Sequence, residues 1–178
     1  KECTPMYLLN KVCTVAYLME GLLEAIPYEK KNLDSIENAF IFSCVWAFGG
    51  PMIQDKAGDF RKAFSDNFNQ TFPGKFPKEG QVFDYIWSYD NDDWIDWATL
   101  VPTYQPIPIG GGPGETPFSQ LFVTTADTYR LTYLMNSLAR RGRHSMLIGS
   151  GSGKTSLIDQ YLKSLDKENR MTNMVSAG

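Results

Sequence analysis

HSMLIGSGSGKTSLIDQYLKSL, residues 144–165, runs from an apolar tetrapeptide through a glycine loop into a helical pattern. Ser145-Met146-Leu147-Ile148 has strand length and ends at a glycine. Gly149-Ser150-Gly151-Ser152-Gly153-Lys154-Thr155 follows, after which Leu157, Ile158, Tyr161, Leu162 and Leu165 recur at helical spacing. Strand, glycine loop, Lys-Thr and helix, in that order, is the context of a phosphate-binding loop. Glycines let backbone N–H groups turn inward around phosphate oxygens, and the helix N-terminus adds its partial positive charge. Lys154 is placed to reach the β- and γ-phosphates, and the Thr155 hydroxyl to sit on Mg²⁺. The expected nucleotide set is therefore Gly149 through Thr155, with Ser150 and Ser152 inside it and Ser156 beside it.

The spacing departs from G-x-x-x-x-G-K-[ST] by one residue, since three rather than four residues separate Gly149 from Gly153. Counted back from Lys154, Ile148 falls where the first glycine belongs. A β-branched residue is poor at a position that needs an unusual backbone angle. The loop is either shortened or engages phosphate differently. The plain alternative is a Gly/Ser turn ahead of an ordinary helix, which the flanks on both sides disfavour.

At 178 residues the chain has room for one large or two small domains. A hydrophobic content of 43% and an aromatic content of 13% suit a globular protein rather than a disordered tail. A net charge of −3 gives no polyanion-binding signal, so nucleic acid is not an expected partner. No apolar run approaches membrane-spanning length, so no membrane is expected either. Cys3, Cys13 and Cys44 have no paired spacing, and the last two lie in apolar helical patterns, which predicts buried free thiols in a reducing compartment. The chain starts at Lys1 and stops shortly after its glycine loop, and is expected to be a piece of a longer polypeptide. A P-loop domain needs further parallel strands, one bearing the acidic residue of the magnesium site. Without them the fragment alone is expected not to hydrolyse ATP.

Three helices are predicted in the first half, over residues 6–23, 34–48 and 54–68. The first carries the stripe Leu8, Val12, Val15, Met19, Leu22. The second opens with Asp34 and Glu37 at capping-box spacing and ends at Gly49-Gly50-Pro51. The third presents Phe60, Phe64 and Phe68. Short connections join them into a small helical subdomain. Residues 82–87 and 94–101 then read as a hairpin with Trp87, Trp94 and Trp97 as its apolar payload. QPIPIGGGPGETP, residues 105–117, is a linker by composition and the expected boundary; no lysine or apolar helix follows its glycines, as a nucleotide loop would require. Beyond it a short strand is expected at residues 120–123, then a helix running to Arg140, capped by Thr124 with Asp127. Leu131, Leu134, Met135 and Leu138 form its apolar face, and Arg140 and Arg141 a solvated last turn before Gly142. His144, the only histidine, has no metal-ligand partners at useful spacing.

FIFSCVWAFGG at residues 40–50, FPKEGQVFDY at 76–85, FVTTADTYR at 122–130 and the phosphate loop, in that order, resemble dynein heavy chain, most of all its axonemal outer-arm type. The resemblance covers nearly the whole chain. It implies the junction of the second and third AAA+ modules of the motor ring, a mix of helical and α/β structure. Residues 1–104 would be the helical lid and hairpin of one module, 105–117 the linker, and 118–178 the start of the next large α/β subdomain. Lys154 and Thr155 match the family's loop pair, Gly151 and Gly153 its loop glycines, and Thr125, Asp127, Thr128 and Arg130 its segment before the helix. The chain before that helix lies near the adenine in such modules, which makes Phe122, Val123 and Thr124 candidates for a base pocket. The resemblance further implies ATP or ADP with Mg²⁺ and association with the remainder of the same heavy chain. It implies microtubules through distant parts of the chain, other dynein heavy, intermediate and light chains, and a cytoplasmic, axonemal location in cilia or flagella.

Two classes of function are compatible with these residues. One is a motor ATPase segment whose site binds nucleotide and regulates the ring. The other is a structural ring module whose shortened loop holds a permanent nucleotide or none. An unrelated P-loop kinase or transporter ATPase is a third, weaker reading, to be told apart by an acidic motif downstream.

Overall fold

A computed structural model describes residues 1–118, 121–149 and 151–165. The first half is a helical layer closed by a hairpin. Helix α1 (Leu8–Ala25) packs along α2 (Leu33–Cys44), which continues as a π-helical turn over Val45–Gly49. The α2 cap is not Asp34 but Asn32, whose side chain accepts from the Ser35 N–H at 2.7 Å while Ser35 Oγ accepts from the Asn32 N–H at 3.0 Å. The wider π turn brings Gly49 against the aromatic core: a Cβ there would lie 2.5 Å from the Phe64 ring, so only glycine fits.

The third predicted helix begins later than its apolar spacing suggests. Residues Gln54–Asp55 (β1) and Gly58–Asp59 (β2) form a two-residue antiparallel ladder, turned at Gly58 with φ 151°. Helix α3 (Phe60–Thr71) starts only then, capped by Asp59, whose carboxylate accepts from the Lys62 N–H at 2.8 Å. Phe64 and Phe68 pack on the core as expected, and Phe60 stays outside it.

The hairpin is shorter than predicted at both ends. Val82–Asp84 is a 3₁₀ turn, β3 spans Tyr85–Ser88, and β4 spans Asp93–Asp96 in antiparallel register, with Trp87 opposite Trp94. Trp97 leaves the strand because Asp96 caps a short helix, α4 (Trp97–Leu100), its carboxylate accepting from the Ala98 N–H at 2.7 Å. The aromatic payload is real: Trp94 and Trp97 are buried, and Phe76 lies 4.3 Å from Trp94 between ring centres. Leu18, Ile41, Phe42, Val45, Val82 and Phe83 complete this core.

Residues 105–117 are largely exposed, yet they close on themselves. Thr116 N–H donates to Pro108 C=O at 2.8 Å, Gly110 N–H to Thr116 C=O at 3.1 Å, and Gly112 N–H to the Glu115 carboxylate at 2.8 Å. Of the strand expected at 120–123, Leu121, Phe122 and Val123 form no ladder, and Gln120 lies outside the described residues. Helix α5 (Ala126–Ala139) is capped by Thr125 with Thr128, one residue beyond the expected Thr124 with Asp127. Ala126, Tyr129, Tyr133, Leu134 and Leu138 pack against the core of the first half. The expected solvated end is a tether: Arg141 reaches back to α1, 2.7 Å from the Glu24 carboxylate and 3.2 Å from the Glu20 carbonyl. Arg140 is exposed, and Gly142 ends the turn at φ 65°. Helix α6 (Lys154–Ser164) packs on α5 through this last part of the chain.

Cys3 is exposed and Cys13 and Cys44 half-buried, all three free; burial pushes the Cys44 thiol pKa up. Among the described residues no helix is long and apolar enough to cross a membrane.

Candidate functional site

The glycine loop enters α6 as its sequence requires. Gly151 and Gly153 adopt φ 58° and 70°, a left-handed backbone that side chains with a Cβ rarely accept. Gly153 is the residue that caps α6, and no side chain caps the helix. The N–H groups of Lys154, Thr155 and Ser156 therefore open the helix without a side-chain acceptor. The first turn closes through Leu157 N–H to Gly153 C=O at 3.0 Å. Leu157 and Tyr161 are buried and seat the helix, so the open donors stand on a fixed element.

Lys154 folds back into the loop. Its ammonium donates to the Gly149 carbonyl and lies 3.4 Å from Ser152 Oγ. A Cβ at Gly149 would meet Ser152 Oγ at 2.8 Å, a contact that rotation of the serine relieves, and would stand 3.9 Å from the Lys154 ammonium. The short loop therefore closes on Lys154 even with Ile148 in the first-glycine position. Thr155 and Ser156 are exposed in the first turn, and Ser150 lies outside the described residues.

The strand side is different. Residues 143–149 form no ladder, and Met146 is 80% and Ile148 47% exposed. The predicted strand at 145–148 thus lacks the neighbours that a parallel sheet needs among the described residues. Phe122 is half-buried, Val123 and Thr124 are exposed, and no hydrogen bond among the described residues joins them to the loop. They stand immediately before the Thr125 cap of α5.

The loop geometry suits an anion. Two left-handed glycines, an uncapped helix start and a lysine held by neutral oxygens leave positive potential with no carboxylate among the loop residues. A magnesium ion keeps several waters and takes few protein ligands beside phosphate, which one exposed hydroxyl at Thr155 can satisfy. Among the described residues no three His, Cys, Asp or Glu side chains gather as a metal site.

Sequence reading named Arg130 and Arg141 but not the contacts by which they tie α5 to the first half. Arg130 donates to the Phe83 carbonyl at 3.3 Å, lies 3.5 Å from the Asp84 carboxylate and pairs with Asp127. The available signal was charge order: Glu20 and Glu24 share one face of α1, and an acid precedes Arg130 by three residues.

An aromatic-cored helical half followed by a glycine loop and helix is matched, half by half, by two known family models. The model of the dynein heavy chain AAA lid domain matches residues 1–99, and that of the P-loop containing dynein motor region matches residues 112–177. The chain belongs to the dynein heavy chain family. It is 35% identical over 176 residues, 94% of its length, to the flagellar outer-arm dynein beta chain of Chlamydomonas reinhardtii. It is 33% identical over 179 residues, 98% of its length, to dynein axonemal heavy chain 17 of Homo sapiens. The ciliary dynein beta chain of Heliocidaris crassispina is 34% identical over 178 residues, again 98% of the chain. In each case the match spans 4% of the relative's length.

Proposed function

We propose that this chain is the junction between two AAA modules of an axonemal, outer-arm-type dynein heavy chain, and that its glycine loop holds ATP or ADP with Mg²⁺ at a regulatory site of the motor. The division is residues 1–104 as lid and hairpin, 105–117 as linker and 118–178 as the opening of the next large subdomain. The observation that carries the reading is the loop from Gly149 to Lys154, closed on the lysine ammonium at the uncapped start of α6. Gly149, Ser150, Gly151, Ser152, Gly153, Lys154, Thr155 and Ser156 bind the phosphates, and Phe122, Val123 and Thr124 flank the base.

The work of each group follows from its place. Lys154 exchanges its neutral partners for phosphate oxygens, a stronger charge-assisted contact. The N–H groups of the first turn orient the same oxygens, and Thr155 holds the metal. Mg²⁺ held at the Thr155 hydroxyl would supply charge that offsets the phosphates. The names of the relatives, flagellar, ciliary and axonemal, support a place in the axoneme. There the site would contribute to ATP-driven ciliary movement along microtubules, with the rest of the heavy chain and other heavy, intermediate and light chains as partners.

A second reading, a structural ring module, is favoured by the missing loop residue. Nucleotide binding to the heavy chain with and without Lys154→Ala separates the two. A saturable component lost in the variant supports the regulatory site, and identical binding curves overturn it.

A further inference from the structure

We propose that Arg130 is a positioning residue for the nucleotide base: it locks the first turn of α5, and with it the segment Phe122–Thr125, onto the lid. The inference rests on the proposed nucleotide site and names the residue that sets its base end.

The geometry separates two supports. The phosphate loop is carried by α6. The segment before α5 is carried by the reciprocal Thr125–Thr128 cap, in which Thr125 N–H donates to Thr128 Oγ1 at 2.8 Å. Ala126 and Tyr129 seat that turn on the core, and one guanidinium supplies its polar hold on the lid. Arg130 pairs with Asp127 on its own helix and crosses to the lid, 3.3 Å from the Phe83 carbonyl and 3.5 Å from the Asp84 carboxylate. Asp84 is itself held, accepting from the Gln81 N–H at 2.8 Å. The guanidinium also faces the Trp46 ring at 5.8 Å, and the Arg130 side chain is only 15% exposed.

A packing role alone does not call for a cation here. Arg61 already stacks 4.3 Å over the Phe83 ring, and one of its terminal nitrogens is buried with no hydrogen-bond partner among the described residues. Burial, and next the charge of Arg130, push the Arg61 pKa down. A second half-buried cation in that neighbourhood is unfavourable, and an apolar residue would fill the space. What only a forked donor supplies is the simultaneous hold on Asp127 and on the lid backbone. Displacements of about 1 Å in such supports are enough to degrade a bound geometry.

The test uses two ligands that share phosphates and differ in the base: a fluorescent ADP analogue and inorganic pyrophosphate, each with Mg²⁺. Both are titrated into the full-length heavy chain, and the contribution of this site is the difference from the same chain carrying Lys154→Ala. In Arg130→Met, which keeps the stem over Trp46, ADP binding at this site is expected to weaken about tenfold while pyrophosphate stays within about twofold. Arg130→Lys, which keeps the charge but not the fork, is expected to lose about threefold for ADP alone. It carries the test by itself if Arg130→Met does not fold. Unchanged ADP affinity, or equal losses for ADP and pyrophosphate, overturns the inference. If Lys154→Ala changes nothing in the otherwise unaltered chain, the nucleotide site itself falls, and this inference with it.

Discussion

Residues 8–100 and residues 143–153 solve the same problem, burying apolar side chains, with opposite results. The first stretch gathers Phe42, Trp46, Phe76, Phe83, Trp94 and Trp97 into one buried cluster, against which Tyr129, Tyr133, Leu134 and Leu138 of α5 also pack. The second contains an equally apolar run, yet Met146 is 80% exposed and its backbone pairs with no strand among the described residues. Helices and a hairpin satisfy their own backbone groups and need only side-chain contacts to stack. A parallel strand needs neighbours on both edges and helices on both faces. Lid stability is therefore a property of this sequence, whereas the strand side of the phosphate loop is not stabilised by the residues described here. Between them, α5 belongs by contact to the lid and by sequence to the loop.

The contrast is sharpest in paired substitutions followed by thermal or denaturant unfolding. Trp97→Ala, at 1% exposure, is expected to cost about 3–5 kcal/mol, and Met146→Ala to stay within about 0.5 kcal/mol. Comparable losses at both positions would erase the distinction.

The α5–lid contact has its own signature at alkaline pH. Burial pushes the Tyr133 phenol from its ordinary 10.0 up to about 12. The folded state then holds this proton more tightly than the unfolded chain. Its contribution is complete below about pH 10 and is lost as pH rises toward 12, a change of about 2–3 kcal/mol. Tyr133→Phe is expected to flatten that limb of the stability–pH curve; an unaltered limb would mean that the phenol is not held at this contact.

Gly49→Ala tests the π turn. A Cβ there meets the Phe64 and Phe83 rings at 2.5–2.7 Å, so overpacking of about 1–3 kcal/mol is expected in the same unfolding measurement. The smallest effect is reserved for the tether. Arg141→Ala removes contacts to Glu20 and Glu24 whose carboxylates are mostly exposed, and is expected to cost about 0–1 kcal/mol. A larger loss would make the α1–α5 contact an electrostatic one.

The sequence displayed the elements better than their edges. Periodicity located α1, α2, α5 and α6 but not always the buried face: Leu8 and Val12 of the expected α1 stripe are exposed, and Leu18 is buried instead. Caps failed in two places: Asn32 and Thr125 do the work that Asp34 and Thr124 were expected to do, since neighbouring polar residues compete for the same donors. The stretch at 54–59 has helical spacing, but Gly58 at φ 151° and the Asp59 cap divert it into a turn. The left-handed turns at Gly151 and Gly153 were legible because the backbone demand that glycine meets is local. The cross-element contacts of Arg130 with Asp84 and of Arg141 with Glu20 were not legible, since those partners lie 46 and 121 positions away along the chain.

The central claim is that the shortened loop is a working phosphate site. Its most direct test is a structure of the intact heavy chain at saturating Mg²⁺–ADP. The expected result is nucleotide density with the phosphates held by residues 151–155, Lys154 released from the Gly149 carbonyl, and the Gly149 side of the loop displaced from a full-length P-loop path. An empty loop, with Lys154 still on Gly149 at saturating nucleotide, would contradict it.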